Sequence, residues 1–334
     1  MPLEAPLRRV AGALAGLRAR RWRDGGRYGA PTLAGYWAAW QSSGSPQALL
    51  RLAAFRRDLG RPLPRRWVAP LQSGWSTLSR NGRRQALGLV AESAPARLTA
   101  VPAADLADAA GVIPALAALA PAAAPALARL HAEQERRRAA FADWAAARRA
   151  AGGLCVVGNA ATLHGRGLGA AIDAHAAVVR FNAWRSDATA AADFGQRCDV
   201  WVAKGDYRGE RPAAPAWAVL SGPDPRFRVV DTETVALLAA GDTPVLTVPL
   251  AVWRAIVHAL DAPPTAGLLT LAWLRELLGG WQGVRCAGIG SGLAGDGRYH
   301  AAIAAKPPGR RHAWAREQAL VERWRAEGLQ CLDR

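Results

Sequence analysis

After about residue 150 the chain carries six short apolar runs: LCVVG (154–158), AVVRF (177–181), DVWVA (199–203), WAVLS (217–221), VLTVP (245–249) and VRCAGIG (284–290). They are rich in β-branched residues, and helical or loop-like stretches separate them. A strand with one wet face alternates apolar and polar residues, whereas a strand covered on both faces reads as an unbroken apolar run. Six unbroken runs with helices between them specify an α/β fold, a Rossmann-like and mainly parallel sheet flanked by helices. No self-similarity at a period of 20–50 residues points to a solenoid or propeller.

The first part of the chain has another texture. Apolar residues recur at mixed spacings of three and four, as at Val10, Leu14 and Leu17, then Trp37, Trp40, Leu49, Leu50 and Leu52. That spacing predicts helices over residues 1–60. An Ala/Pro-rich stretch, 93–130, punctuates the chain. Residues 131–150 then predict one strong helix, with Phe141 and Trp144 on one face and Gly152 and Gly153 as its stop. The expected division is a helical, Arg/Trp-rich region at 1–130 and an α/β domain at 131–334.

Charge separates the same two regions. Of 43 basic residues only Lys204 and Lys306 are lysines. Residues 1–150 hold 23 arginines against 9 acids, whereas 151–334 hold 20 basic against 17 acidic residues. The net charge of +17 therefore sits mostly in the N-terminal region and predicts attraction to an anionic partner. Arginine interleaved with Trp22, Trp37, Trp40, Trp67 and Trp75 suits the headgroup level of a membrane, and equally suits tryptophans packing a helical subdomain. The least polar long stretch, Gly111 to Leu130, is Ala-rich and broken by three prolines, so no span is expected. VAGALAGL near the start is short and runs into arginines, unlike a signal peptide. Four scattered cysteines form neither a disulfide framework nor a CxxC metal site. The expectation is a cytoplasmic protein, peripheral at the inner face of a membrane if the basic region docks there.

The stretch GLCVVGNAATLHGRGLGAAIDAHAAVVRFN (153–182) is the most informative. One buried strand ends at Gly158 and is followed by Asn159; a second ends at Phe181 and is followed by Asn182. Ligands in open α/β sheets bind outside the carboxyl ends of strands, so the two asparagines are candidates for one crevice. GRGLG approaches a dinucleotide fingerprint, but its glycines come seven residues after the strand instead of in the turn that follows it. In 262–290, Pro264-Thr265-Ala266-Gly267 opens a helix, with Thr265 as a natural N-cap and free amides suited to a carboxylate or phosphate. The strand that follows ends in Gly288-Ile289-Gly290. Two histidines, His300 and His312, come after the last run, and Glu317 lies five residues past His312. An imidazole is a natural general base near neutrality.

Taken in order, these segments resemble the sialylmotifs of the family 29 sialyltransferases. VVGNAATLHGRGLGAAIDAHAAVVRFN resembles the large motif, and PPTAGLLTLAWLRELLGGWQGVRCAGIG the small one. Tyr299-His300 stands where the third motif stands, and His312 to Glu317 has the H-x4-E form of the very small motif. The resemblance covers residues 153–320, is to a bacterial-type member, and implies a GT-A-variant-like fold. It implies transfer of sialic acid, or a related 2-keto sugar such as Kdo, from a CMP-activated donor to a glycan or glycolipid hydroxyl. Inversion, no metal and no separate cofactor go with it, and no nucleic acid is expected as a partner.

The roles it implies are specific. Asn159, Ala160 and Asn182 would line the nucleotide site. Thr265 and Gly267 would meet the donor phosphate or sugar carboxylate, and Gly288 and Gly290 the cytidine. His300 would hydrogen-bond the leaving phosphate, His312 would be the general base, and Glu317 would support His312. The chain departs from the pattern at Ala160-Ala161, where Ser-Gly is usual, and at Ala301-Ala302 in the third motif. A Cys155–Cys286 disulfide, after the pair joining the two large motifs in the family, is a minor expectation. A catalytically silent CMP-binding homologue and a nicotinamide-dependent enzyme stand as alternatives.

Overall fold

A computed structural model describes residues 4–94, 97–98, 101–110, 125–184, 188–205, 207–224, 227, 232–290 and 312–334. Among these, six helices form the N-terminal part: α1 (Glu4–Asp24), α2 (Ala30–Ser43), α3 (Pro46–Asp58), α4 (Val68–Ser73), α5 (Arg80–Ser93) and α6 (Ala103–Ala110). Then come α7 (Pro125–Ala132) and α8 (Gln134–Gly152). The single helix expected over 131–150 thus begins at Gln134, and α7 is a separate piece that ends just before it.

The α/β part runs β1 (Leu154–Val157), α9 (Gly169–Asp173), β2 (Ala177–Phe181), α10 (Ala188–Phe194), β3 (Val200–Lys204), β4 (Trp217–Ser221) and α11 (Thr232–Ala239). It continues through β5 (Val245–Thr247), α12 (Leu250–Leu260), α13 (Ala266–Leu278), β6 (Val284–Ala287), α14 (Trp314–Ala326) and β7 (Gln330–Cys331). The seven strands form one sheet in the order β5-β4-β3-β2-β1-β6-β7, and every neighbouring pair is parallel. Six strands coincide with the six apolar runs, because both faces of each are covered. The seventh was missed: two residues are too few to leave a pattern.

Four apolar clusters organise the described residues, and two of them are large. One draws on Ala19 to Val101 and belongs to the N-terminal helices. The largest lies on the sheet, where α8, α12, α13 and α14 cover it, and reaches from Phe141 to Leu329. Leu59 packs against both clusters, and Trp253 of α12 donates its indole N–H to the Asp58 carbonyl at 3.0 Å. Phe141 stacks on Trp144 and on Trp273 of α13. Several tryptophans interleaved with arginine pack one another: Trp37, Trp40 and Trp67 lie 5.3–5.7 Å apart, ring to ring. No helix among the described residues is long and apolar enough to cross a membrane.

The cysteines are free thiols. Cys155 lies opposite Arg285 in the β1–β6 register, and the Cys286 thiol instead faces Cys331 of β7, Sγ to Sγ 3.0 Å. The expected Cys155–Cys286 pairing is therefore replaced by a Cys286–Cys331 contact, set by the β6–β7 register.

Candidate functional site

The carboxyl ends of β1, β2 and β6 meet at the middle of the sheet, and the segments singled out in the sequence gather there. Asn159 follows β1. Its amide nitrogen donates to the carbonyls of Phe181 and Ala183, at 2.9 and 3.0 Å, which ties the end of β1 around Asn182. Asn182 is in the left-handed region, φ 46°, a conformation asparagine tolerates better than most residues. Its Oδ1 accepts from the Lys204 amide at 3.0 Å and its carbonyl from the Trp201 indole at 2.9 Å. Both side chains thus first shape the rim. Asn159 Oδ1 and Asn182 Nδ2 have no hydrogen bond among the described residues, and both residues are half-buried. Ala160 is extended and opens a short 3-10 turn over Ala161–Leu163.

On the other side of β1, Gly158 presses on the end of β6. A Cβ there would overlap the Gly288 carbonyl oxygen and lie 2.9 Å from Ile289 Cγ1. Gly288 and Gly290 both take left-handed backbone, φ 63° and 67°. Gly267, in the first turn of α13, lies against Ile289 in turn, with 3.2 Å left for a Cβ. Contacts therefore run without a break from Asn182 through Asn159, Gly158 and Gly288 to the amino end of α13.

Thr265 caps α13, its hydroxyl accepting from the Leu268 amide. It is gripped from the other side by Glu317 of α14. The Thr265 amide donates to Glu317 Oε1 at 2.8 Å and its hydroxyl to Oε2 at 2.7 Å. Sequence spacing had suggested Glu317 as the support of His312. The structure gives the carboxylate a second duty at the cap of α13 and keeps it within ion-pair range of His312, with Nδ1 3.9 Å from Oε1. The Pro263 carbonyl, 3.0 Å from Nδ1, hydrogen-bonds the ring. In the neutral ring that contact puts the proton on Nδ1 and leaves the lone pair on Nε2. Pro263 left no signal in the sequence, because a backbone carbonyl acts whatever the side chain. His300 and Tyr299 lie outside the described residues.

Burial pushes the Glu317 carboxyl up to about 7, against the pull of its two bonds from Thr265. The folded protein therefore holds this proton more tightly than the unfolded chain. Its contribution to stability is full below the ordinary carboxylate range, falls as pH rises from about 4.5 to about 7, and is level above that. At about 1.4 kcal/mol per unit the fall is about 3 kcal/mol. Glu317→Gln keeps an acceptor for the Thr265 amide and offers a donor to its hydroxyl. Urea unfolding at pH 5 and pH 8 is expected to show that fall in the native protein and not in the variant; equal falls would contradict the assignment.

Two other features of the large stretch are structural. The amides of Gly165 and Gly167 both donate to Asp193, at 2.7 and 2.8 Å, so a protein carboxylate already fills the loop a dinucleotide phosphate would need. Arg180 is buried and spends its guanidinium on the carbonyls of Arg197 and Phe194.

At Ala313, the residue after His312, lies a cavity of about 400 Å³ between the N-terminal helices and the sheet domain. Trp22, Arg27 and Thr32 line it from one side, Asp261, Ala262 and Arg316 from the other. Arg316 is fixed by the Leu260 carbonyl at 2.8 Å. Sequence reasoning did not find this cavity, since its walls are 230 to 290 residues apart in the chain.

No protein-family profile and no curated protein matches the chain. Among solved structures it is similar to a mammalian sialyltransferase in complex with Gal-beta-1-3GalNAc-ortho-nitrophenol, at 16% identity over 54% of this chain and 68% of that one, with a TM-score of 0.42. A second mammalian sialyltransferase structure matches at 17% identity over the same shares, with a TM-score of 0.43. Agreement of chain path at that level decides nothing about chemistry.

Proposed function

We propose that the chain is an inverting, metal-independent glycosyltransferase of the family 29 sialyltransferase type, in a bacterial-type form. It moves sialic acid or a related 2-keto sugar such as Kdo from a CMP-activated donor to a hydroxyl of a glycan or glycolipid, on the cytoplasmic side of a membrane. The observation that carries this reading is the convergence itself. The ends of β1, β2 and β6, the capped amino end of α13 and the His312 ring form one continuous rim, and each bears the residues of a motif.

In this reading Asn159 Oδ1 and Asn182 Nδ2, the atoms left unspent by the rim, bind the nucleotide beside Ala160. The backbone at Gly288 and Gly290 takes the cytidine. The first amides of α13, at Ala266 and Gly267, meet the phosphate or the sugar carboxylate, where the partial positive charge of a helix amino end favours an anion. The acceptor enters through the cavity at Ala313, and His312 Nε2 takes the proton of its hydroxyl as that oxygen bonds to the anomeric carbon. The bond to CMP breaks on the opposite face, which inverts the centre. Charge grows on the departing phosphate, where fixed donors lower the barrier most, and the resemblance adds His300 there.

Two measurements test the reading. CMP at a hundredfold excess over its dissociation constant is expected to stabilise the protein by about 2.7 kcal/mol in thermal unfolding, with no shift from NAD. CMP release from CMP-sialic acid or CMP-Kdo is expected without added metal. Binding without turnover of either donor would replace the enzyme by a silent CMP-binding homologue; no binding would remove the nucleotide site.

A further inference from the structure

Helix α1 is built with its large apolar residues on the outside. The side that meets α2 carries Gly12, Gly16 and Ala19. A Cβ on Gly12 would overlap the Ser42 hydroxyl, one on Gly16 would lie 3.0 Å from Ala39 Cβ, and one on Gly35 of α2 would lie 2.9 Å from Ala19 Cβ. The helices thus pack closely through small residues. Leu7, Val10, Leu14 and Leu17 point away from that contact and are 66, 58, 57 and 53% exposed. A helix on a soluble surface normally does the reverse. At 100° per residue these four positions fall within an arc of about 80°, an unbroken stripe along one side.

The charge around the stripe says what covers it. Helix α1 holds Arg8, Arg9, Arg18, Arg20, Arg21 and Arg23 against only Glu4 and Asp24. Arg18 borders the stripe and Arg21 continues its line at the carboxyl end. A second copy of the chain would bring two such basic faces together, in a region where basic residues exceed acidic ones 23 to 9. A surface of anionic lipid complements both features at once.

We propose that α1 lies in the headgroup layer of an anionic bilayer, with Leu7, Val10, Leu14 and Leu17 in the acyl boundary and the flanking arginines on lipid phosphates. The proposal does not depend on the sugar chemistry. Trp22, in the last turn of the same helix, also lines the cavity at Ala313, so docking brings one wall of that cavity near the lipid surface.

Sedimentation of the full chain with vesicles tests it. Binding is expected with phosphatidylcholine containing about a third phosphatidylglycerol, weak binding with phosphatidylcholine alone, and a marked loss on going from 0.1 to 0.5 M salt. The double variant Leu14→Glu/Leu17→Glu alters only exposed positions, so its melting temperature is expected to match the native protein. Its partitioning onto the anionic vesicles is expected to drop by about tenfold or more. Leu237→Glu, at an exposed leucine of α11, is expected to bind as the native protein does. Equal binding by native and double-variant protein, equal binding to neutral and anionic vesicles, or a dimer that the double variant dissolves without any vesicle binding would each overturn the proposal.

Discussion

His312→Ala is expected to lower sugar transfer from the CMP-activated donor by a factor of about 10² to 10⁴, the usual worth of a positioned general base. CMP affinity is expected to stay within about twofold. The separation follows from the geometry. The imidazole stands at the start of α14, with Nδ1 on the Pro263 carbonyl and its ring 5.5 Å from the Trp314 ring. Its side chain is 22% exposed, so truncation leaves no sealed void and is expected to cost little stability. The residues assigned to the nucleotide follow β1, β2 and β6 and do not need the ring. Initial rates over a range of acceptor concentrations, with CMP binding measured by calorimetry, read the two effects apart. A variant that transfers sugar at the native rate would remove His312 as the base; a parallel loss of CMP binding would make it a nucleotide ligand instead.

Gly158→Ala is expected to destabilise the fold by about 3 kcal/mol or more. The added carbon would overlap the Gly288 carbonyl oxygen and lie 2.9 Å from the Gly288 carbonyl carbon. These are backbone atoms at the end of a central strand pair, and no side chain can swing aside. Relief requires β1 and β6 to part, which strains the bond from the Gly158 amide to the Ala287 carbonyl, 2.8 Å long. Gly165→Ala is the control. Its φ of 71° also favours glycine, but no atom lies within 4 Å of an added Cβ. Its cost is expected to be about 1 kcal/mol, the price of left-handed backbone alone. Urea midpoints compare the two, and equal small losses would show that the β1–β6 contact can yield.

The residues around the rim show where reading a sequence succeeds and stops. The fold class was legible because burial on both faces of a parallel strand forces an unbroken apolar run, a constraint on composition that needs no coordinates. Thr265 was legible as a helix cap for a similar reason: capping is local, between a hydroxyl and an amide three residues on. The partners of those residues were not. Glu317 was expected to serve His312, five residues away; it lies 3.9 Å from that ring and also clamps Thr265, 52 residues away, a partner that spacing did not show. Asn159 and Asn182 were marked as ligand contacts, and one side-chain polar atom of each is already bonded to backbone of a neighbouring segment. Cys286 was weighed against Cys155 and lies against Cys331.

Periodicity has the same limit on α1. Val10, Leu14 and Leu17 announce a helix with one apolar side, but spacing does not say whether that side is covered. Only the packing of Gly12, Gly16 and Ala19 on α2 turns the leucines outward. The sequence alone determined six of the seven strands, which turns carry glycine and which residue types stand at the strand ends, since these follow from burial and from local backbone geometry. The tertiary structure alone decided which of those residues touch, which polar atoms are already spent and which apolar face is left open, because each depends on pairs of groups far apart in the chain, and no local pattern encodes the partner.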